Sequence, residues 1–157
     1  MRTLVLGVGN SILSDDGVGI KVAQESEKRL KDPQVTVSET SGAGFSLLDS
    51  IVGYNQVIII DAIQTKEGKA GQIYRLTLDD FTFAKHFSSP HQTNLVTALE
   101  LGKMLGLSMP SKVTIFAVEA KEITCFSERC TPEVEQAIPE AVNMVLQELS
   151  NSRFEFS

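Results

Sequence analysis

The tightest constraint on this chain comes from two short, unbroken apolar runs, each closed by a polar signal. Thr3 to Val8 leads into Gly7-Val8-Gly9, and Val57-Ile58-Ile59-Ile60 leads into Asp61. A strand wetted on one face alternates apolar and polar residues, whereas a strand covered on both faces reads as a continuous run. These two runs therefore belong in the middle of a mostly parallel sheet with helices on both sides. Amphipathic stretches lie between the apolar runs, as α/β architecture requires.

The remaining elements follow from spacing. Residues 17–31 read as a helix with Val18, Val22, Ala23 and Leu30 inward. Gln34 to Glu39 alternates as a second strand, and Phe45 to Val52 is a short helix. Gly71 to Leu76 is a fourth strand. About nine residues part it from the third strand, too few for a parallel crossover, so it should run antiparallel. Ser89 to Gly106 reads as a helix and Val113 to Val118 as the fifth strand, ending at Glu119. The last helix opens at Thr131-Pro132, a cap residue followed by proline at the first helical position. Pro139 should kink it. No linker or repeat divides the sequence. The expectation is one three-layer αβα domain over residues 1–150, with a five-stranded twisted sheet carrying one antiparallel edge strand, and a frayed tail over 151–157.

Fourteen basic against twenty acidic residues leave a net charge of −6, which speaks against nucleic acid or an anionic membrane as partner. No apolar run approaches a bilayer's thickness, and Met1-Arg2 enters the first strand with no signal-peptide h-region. Two cysteines, Cys125 and Cys130, are too few for a disulfide framework and wrongly spaced for a CxxC redox pair. A cytoplasmic domain is expected. The lack of an obvious exposed apolar helix face favours a monomer.

Three polar residues stand beyond the carboxyl ends of strands, where open α/β sheets place their ligands. Asp16 follows the first strand through the loop Gly9 to Ser14, Asp61 caps the third, and His91 opens a helix after a long polar loop. Ser89-Pro90-His91-Gln92 has the form of a capping box, with His91 in the first turn, where the helix dipole disfavours imidazolium and keeps a lone pair for a metal. Each residue also has a plainer reading: His91 as a surface histidine near a cap, Asp61 as an acceptor for loop N–H groups, Asp15 or Asp16 as a helix-dipole partner. Two adjacent carboxylates before Gly17 exceed what capping requires, so Asp16 is assigned to the site and Asp15 to a supporting or capping role. Two carboxylates and an imidazole suit a borderline divalent transition metal with open positions. Such a site is weak alone, and could act as a sensor when a partner supplies the missing ligands.

A dinucleotide fingerprint competes for the glycines. Ile12 stands where its third glycine belongs, and Asn10 to Asp16 delays the helix whose N–H groups would meet pyrophosphate. Two aspartates there would also repel phosphate. HExxH, GxSxG, a Walker loop and the Asp-Thr/Ser-Gly of pepsin-like proteases are all missing. His86 has no ligand spacing and reads as a surface residue.

Taken together, Leu4-Val5-Leu6-Gly7-Val8-Gly9-Asn10, Asp15-Asp16-Gly17-Val18-Gly19, Ile60-Asp61-Ala62 and Ser89-Pro90-His91-Gln92 resemble the hydrogenase maturation endopeptidases, a likeness in order over residues 2–149. Ser41-Gly42-Ala43-Gly44 and Thr131-Pro132-Glu133 are similar to that family too. The resemblance implies an enzyme that removes a C-terminal extension from the large-subunit precursor of nickel–iron hydrogenase once nickel is inserted. It implies that Asp16, Asp61 and His91 contact that nickel, which the precursor supplies to a largely apo enzyme, and that they form the catalytic site. The first carboxylate can be Glu in relatives; Asp here shortens its reach by one methylene. The family is sometimes grouped with aspartic proteases, and either metal or a carboxylate could activate the water. A non-catalytic nickel-binding maturation chaperone with the same ligands is the alternative.

Overall fold

Residues 1–43, 45–83, 87–88 and 92–156 are described in a computed structural model, with 81–83, 87–88, 92–93 and 153–156 described in their backbone only. The strands are β1 (Thr3–Val8), β2 (Val35–Thr40), β3 (Gln56–Thr65), β4 (Ile73–Thr77), β5 (Phe87–Ser88) and β6 (Lys112–Glu119). The α-helices are α1 (Val18–Arg29), α2 (Ser46–Ile51), α3 (Leu78–Phe83), α4 (Gln92–Met104) and α5 (Pro132–Phe156). The sheet order is β2-β1-β3-β6-β4. The β2/β1, β1/β3 and β3/β6 pairs are parallel and β4 runs antiparallel beside β6. This is the expected mostly parallel sheet with one antiparallel edge.

The pleat divides the strands between two cores. Leu4, Leu6, Val57, Ile59 and Ile115 pack on one side with Leu47, Leu48, Leu95 and Leu99 from α2 and α4. Val5, Ile58, Ile60, Phe116 and Val118 pack on the other with Val18 and Val22 of α1 and Val134, Ile138 and Val142 of α5. Both faces of β1, β3 and β6 are thus covered, the reason for their unbroken apolar runs.

Several boundaries depart from expectation. β4 is antiparallel as foreseen, but its partner is β6, because β1 and β6 already occupy the two edges of β3. β3 runs on to Thr65 and pairs its last residues with the short β5, Gln64 with Ser88 and Thr65 with Phe87. The expected tail at 151–157 is instead the end of α5, which reaches Phe156. Buried Ser152 anchors it, accepting from the Gln56 amide at 2.6 Å and donating to the Glu148 carbonyl at 2.9 Å.

α5 is also tied to the edge of the sheet by a buried carboxylate. Glu148 accepts Arg75 of β4 through both oxygens at 2.8 and 3.1 Å, and Thr114 of β6 at 3.0 Å. Burial raises the Glu148 pKa, but the bonds from Arg75 and Thr114 and the charges of Arg75 and Lys112 outweigh it and leave the group below its ordinary value. A lowered carboxyl pKa adds stability above the unfolded-state value, which is lost as pH falls through the folded one. R75A is therefore expected to cost about 2 kcal/mol at neutral pH. The difference from wild type should shrink toward zero on acidification, read by urea melts across pH 3–7; a pH-independent difference would contradict the pairing.

Candidate active site

Beyond the carboxyl ends of β1 and β3 the sheet has its topological switch, since β1 leads through α1 to β2 on one side and β3 leads onward to β6 on the other. Crevices of this kind are where doubly wound sheets bind ligands. Glycines bring the elements together there. A Cβ on Gly19, in the first turn of α1, would sit 2.1 Å from the Ile60 carbonyl oxygen, and one on Gly7 would sit 2.5 Å from that of Gly19. Helix and strand backbones touch, so the residues just before α1 are delivered to the end of β3.

Those residues are Asp15 and Asp16, in a 3-10 turn over Ser14–Gly17 that packs on β3. Gly9 starts the loop at φ 152°, with no space for a side chain because the Asp16 carbonyl lies 2.0 Å from where its Cβ would be. Asn10 Oδ1 accepts the Ile12 N–H, and the Leu13 N–H returns to the Asn10 carbonyl.

Asp16 is 4% exposed. Its Oδ2 accepts the Asn10 N–H at 2.9 Å, while its Oδ1 is buried with no hydrogen-bond partner among the described residues. A buried carboxylate oxygen left unpaired costs free energy and calls for an explanation. Asp61 is 2% exposed, and its Oδ1 accepts the Ala62 N–H at 2.8 Å. Pairing between β1 and β3 stops at Gly7 and Ile60, so Asp61 is the first residue of β3 beyond its pairing with β1. The structure thus puts Asp16 and Asp61 at the same sheet end, both withdrawn from solvent.

His91 and His86 lie outside the described residues. The neighbours that are described flank the same end: β5 lies against Gln64 and Thr65, α4 opens at Gln92, and the Asn94 amide donates to the Gly42 carbonyl at 2.6 Å. Among the described residues no group of three or more His, Cys, Asp or Glu side chains could hold a metal ion. Among the described residues, Asp16 and Asp61 are buried carboxylates at that end.

Asp15 has a different task. It is fully buried, and its carboxylate accepts the Lys121 and Glu122 N–H groups at 2.9 and 3.0 Å and the Thr131 N–H and hydroxyl at 2.7 and 2.9 Å. It clamps the 3-10 turn to residues 121–131. The cap position of α1, Gly17, has no side-chain capping bond, so the work of Asp15 is support of the loop and not capping.

Glu119 is a buried carboxylate that the sequence reading left at the end of its strand without a role. It accepts the Thr65 N–H at 2.8 Å, the Thr65 hydroxyl and the Tyr74 hydroxyl at 3.2 Å. Both oxygens are occupied, and they tie the extension of β3 to β4. Of the two thiols, Cys125 is exposed, and Cys130 is half-buried with its pKa pushed up to about 11, chiefly by burial. A protonated thiol is a poor nucleophile.

Fold and site together define a doubly wound α/β protein with two buried carboxylates at the switch point. The chain belongs to the hydrogenase maturation protease family, whose model matches residues 20–148, and it is an endopeptidase. It is 33% identical over 159 residues to the hydrogenase 2 maturation protease of Escherichia coli K12, covering 99% of this chain and 94% of that one. The structure of the hydrogenase maturating endopeptidase HybD from E. coli superposes with a TM-score of 0.83 at 32% identity, covering 97% of this chain and 94% of that one. The [NiFe] hydrogenase maturation protease HybD from Thermococcus kodakarensis shares the fold, with a TM-score of 0.76 at 23% identity over 94% of this chain and 98% of that one.

Proposed function

We propose that this endopeptidase removes the C-terminal extension of a [NiFe]-hydrogenase large-subunit precursor, and that Asp16, Asp61 and His91 read the nickel that the precursor carries. The observation that supports this most is the buried Oδ1 of Asp16, without a hydrogen-bond partner among the described residues, at the sheet end where Asp61 is also buried. A carboxylate oxygen held dry and free of hydrogen bonds suits a divalent cation, and oxygen and imidazole donors together suit nickel. The nickel belongs to the substrate; when present it supplies charge that marks the precursor as loaded and polarises neighbouring groups.

The chain's own part follows from the geometry. The Asn10 N–H fixes the Asp16 carboxylate through Oδ2, so Oδ1 has a set direction. The clamp on Asp15 and the glycine contact of α1 on β3 keep the turn from shifting. A precursor seated here has its scissile peptide held near two carboxylates, either of which can take a proton from water as general base. The free cysteines are consistent with a reducing compartment, and the proposed setting is a cytoplasmic monomer.

The test is to incubate the protein with nickel-loaded and nickel-free precursor and to weigh the products. Loss of the extension from the loaded form alone is the expected result. Cleavage of the nickel-free form at an equal rate would overturn nickel reading, and loss of no mass from either would leave only the binding role of a chaperone.

A further inference from the structure

Two exposed apolar side chains are wired to the turn that carries the active-site aspartate. Ile12 is 46% exposed and Phe126 is 83% exposed. The Ser127 N–H, part of the peptide that follows Phe126, donates to the Ile12 carbonyl at 2.9 Å, and the Ser14 N–H returns to the Ser127 carbonyl at 2.9 Å. Leu13 and Ser127 form a parallel bridge between the two segments. Phe126 therefore sits beside the loop that positions Asp16.

The segment that carries Phe126 is built to hold it in place. The Glu122 carboxylate accepts the Thr124 hydroxyl at 2.6 Å and the N–H groups of Thr124 and Cys125 at 2.9 Å each. The Arg129 N–H bonds to Ser127 Oγ, and Asp15 anchors both ends of the segment. A loop so fully bonded inside, yet holding an aromatic ring in water, is preorganised for contact: the cost of ordering has been met before a partner arrives. Phe45, 67% exposed on the loop after β2, adds a third apolar side chain at the same end of the sheet.

We propose that Ile12 and Phe126, with Phe45, form a docking rim that seats an apolar stretch of the hydrogenase precursor next to the bond to be cut. The inference rests on the carboxylate site proposed above. An endopeptidase must have a polypeptide lying across its catalytic groups, and Ile12 and Phe126 adjoin the turn that bears Asp16. A second copy of the chain is the weaker occupant. Counted on both copies, the exposed parts of two phenyl side chains of roughly 150–250 Å² each, Phe45 at 67% and Phe126 at 83% exposure, together with the smaller Ile12, stay below the ~1,200 Å² at which stable dimers begin. A substrate contact centred on an aromatic anchor needs far less.

The test uses a nickel-loaded large-subunit precursor that the wild-type protein processes, and compares wild type, F126S, the double variant I12S/F126S, and M104S as control. Met104 is also 83% exposed but ends α4 at the opposite end of the sheet, near the turn where the Gly53 N–H meets the Ser108 carbonyl. F126S should raise KM about tenfold, and the double variant further, with kcat within about twofold of wild type, the signature of lost ground-state binding. M104S should match wild type. A KM for F126S equal to that of M104S would overturn the rim, as would an unchanged KM joined to a loss of self-association in sedimentation. D16N in the same assay keeps the two ideas apart: cleavage by D16N defeats the site reading, whereas the KM of F126S answers for the rim alone.

Discussion

D16N should fold at least as stably as wild type and fail to process nickel-loaded precursor. The amide is nearly the shape of the carboxylate and can still accept the Asn10 N–H, so the loop has no reason to move. The substitution removes a buried negative charge whose Oδ1 has no hydrogen-bond partner among the described residues, a charge that costs the fold stability. Loss of a carboxylate acting as proton acceptor or metal ligand is worth about 10²–10⁴-fold in rate. The expected pattern is a melting temperature equal to or above wild type with cleavage reduced about a thousandfold. That pairing is the mark of a residue kept for function at the expense of stability. Processing within about tenfold of wild type would remove Asp16 from the active site.

The second large effect is expected at its neighbour and in the opposite sense. D15A strips the acceptor from the N–H groups of Lys121, Glu122 and Thr131 and from the Thr131 hydroxyl at one stroke. Each buried donor left without a partner costs ~1–3 kcal/mol, and some of these will recover water once the loop loosens. A loss of about 4 kcal/mol in denaturant unfolding is expected, near the top of the range for single substitutions. A loss below ~1 kcal/mol would show that the clamp is not what holds the loop. Adjacent residues in one turn are thus predicted to separate cleanly, Asp15 by stability and Asp16 by activity.

That separation also marks where the sequence stops being legible. The parallel strands could be read because burial on both faces writes itself into consecutive residues such as Val57 to Ile60. The same run drew attention to Asp61, although β3 continues past it to Thr65 and Asp61 pairs within the sheet opposite Ala117. α3 was missed although its start carries a local signal: the Asp80 carboxylate accepts the Thr77 N–H and hydroxyl, and the Thr77 hydroxyl accepts the Asp80 N–H, a reciprocal cap. The six residues of α3 are too few to show a periodicity, and β5, two residues long, exists only because β3 overruns its neighbour. The supporting role of Asp15 was read from the adjacent pair, but whether it caps a helix or clamps a loop depends on residues 121–131, which nothing local announces. Glu119 shows the converse: it ends a strand as Asp61 follows β1's last partner, yet its oxygens are consumed by Thr65 and Tyr74. Only the partners tell a structural carboxylate from an available one.

The clamp on Asp15 also governs when in the life of the chain the site exists. Its bond to Thr131 spans 116 positions, and closing so long a loop comes late in folding. On the ribosome the amino-terminal strands emerge first, and the aspartates with them, but the donors that hold their turn are made only after three quarters of the chain has been translated. A nascent or truncated chain that stops short of Lys121 carries both aspartates and none of the donors that clamp Asp15. The turn that bears Asp16 is thus held in shape only once residues 121–131 are in place.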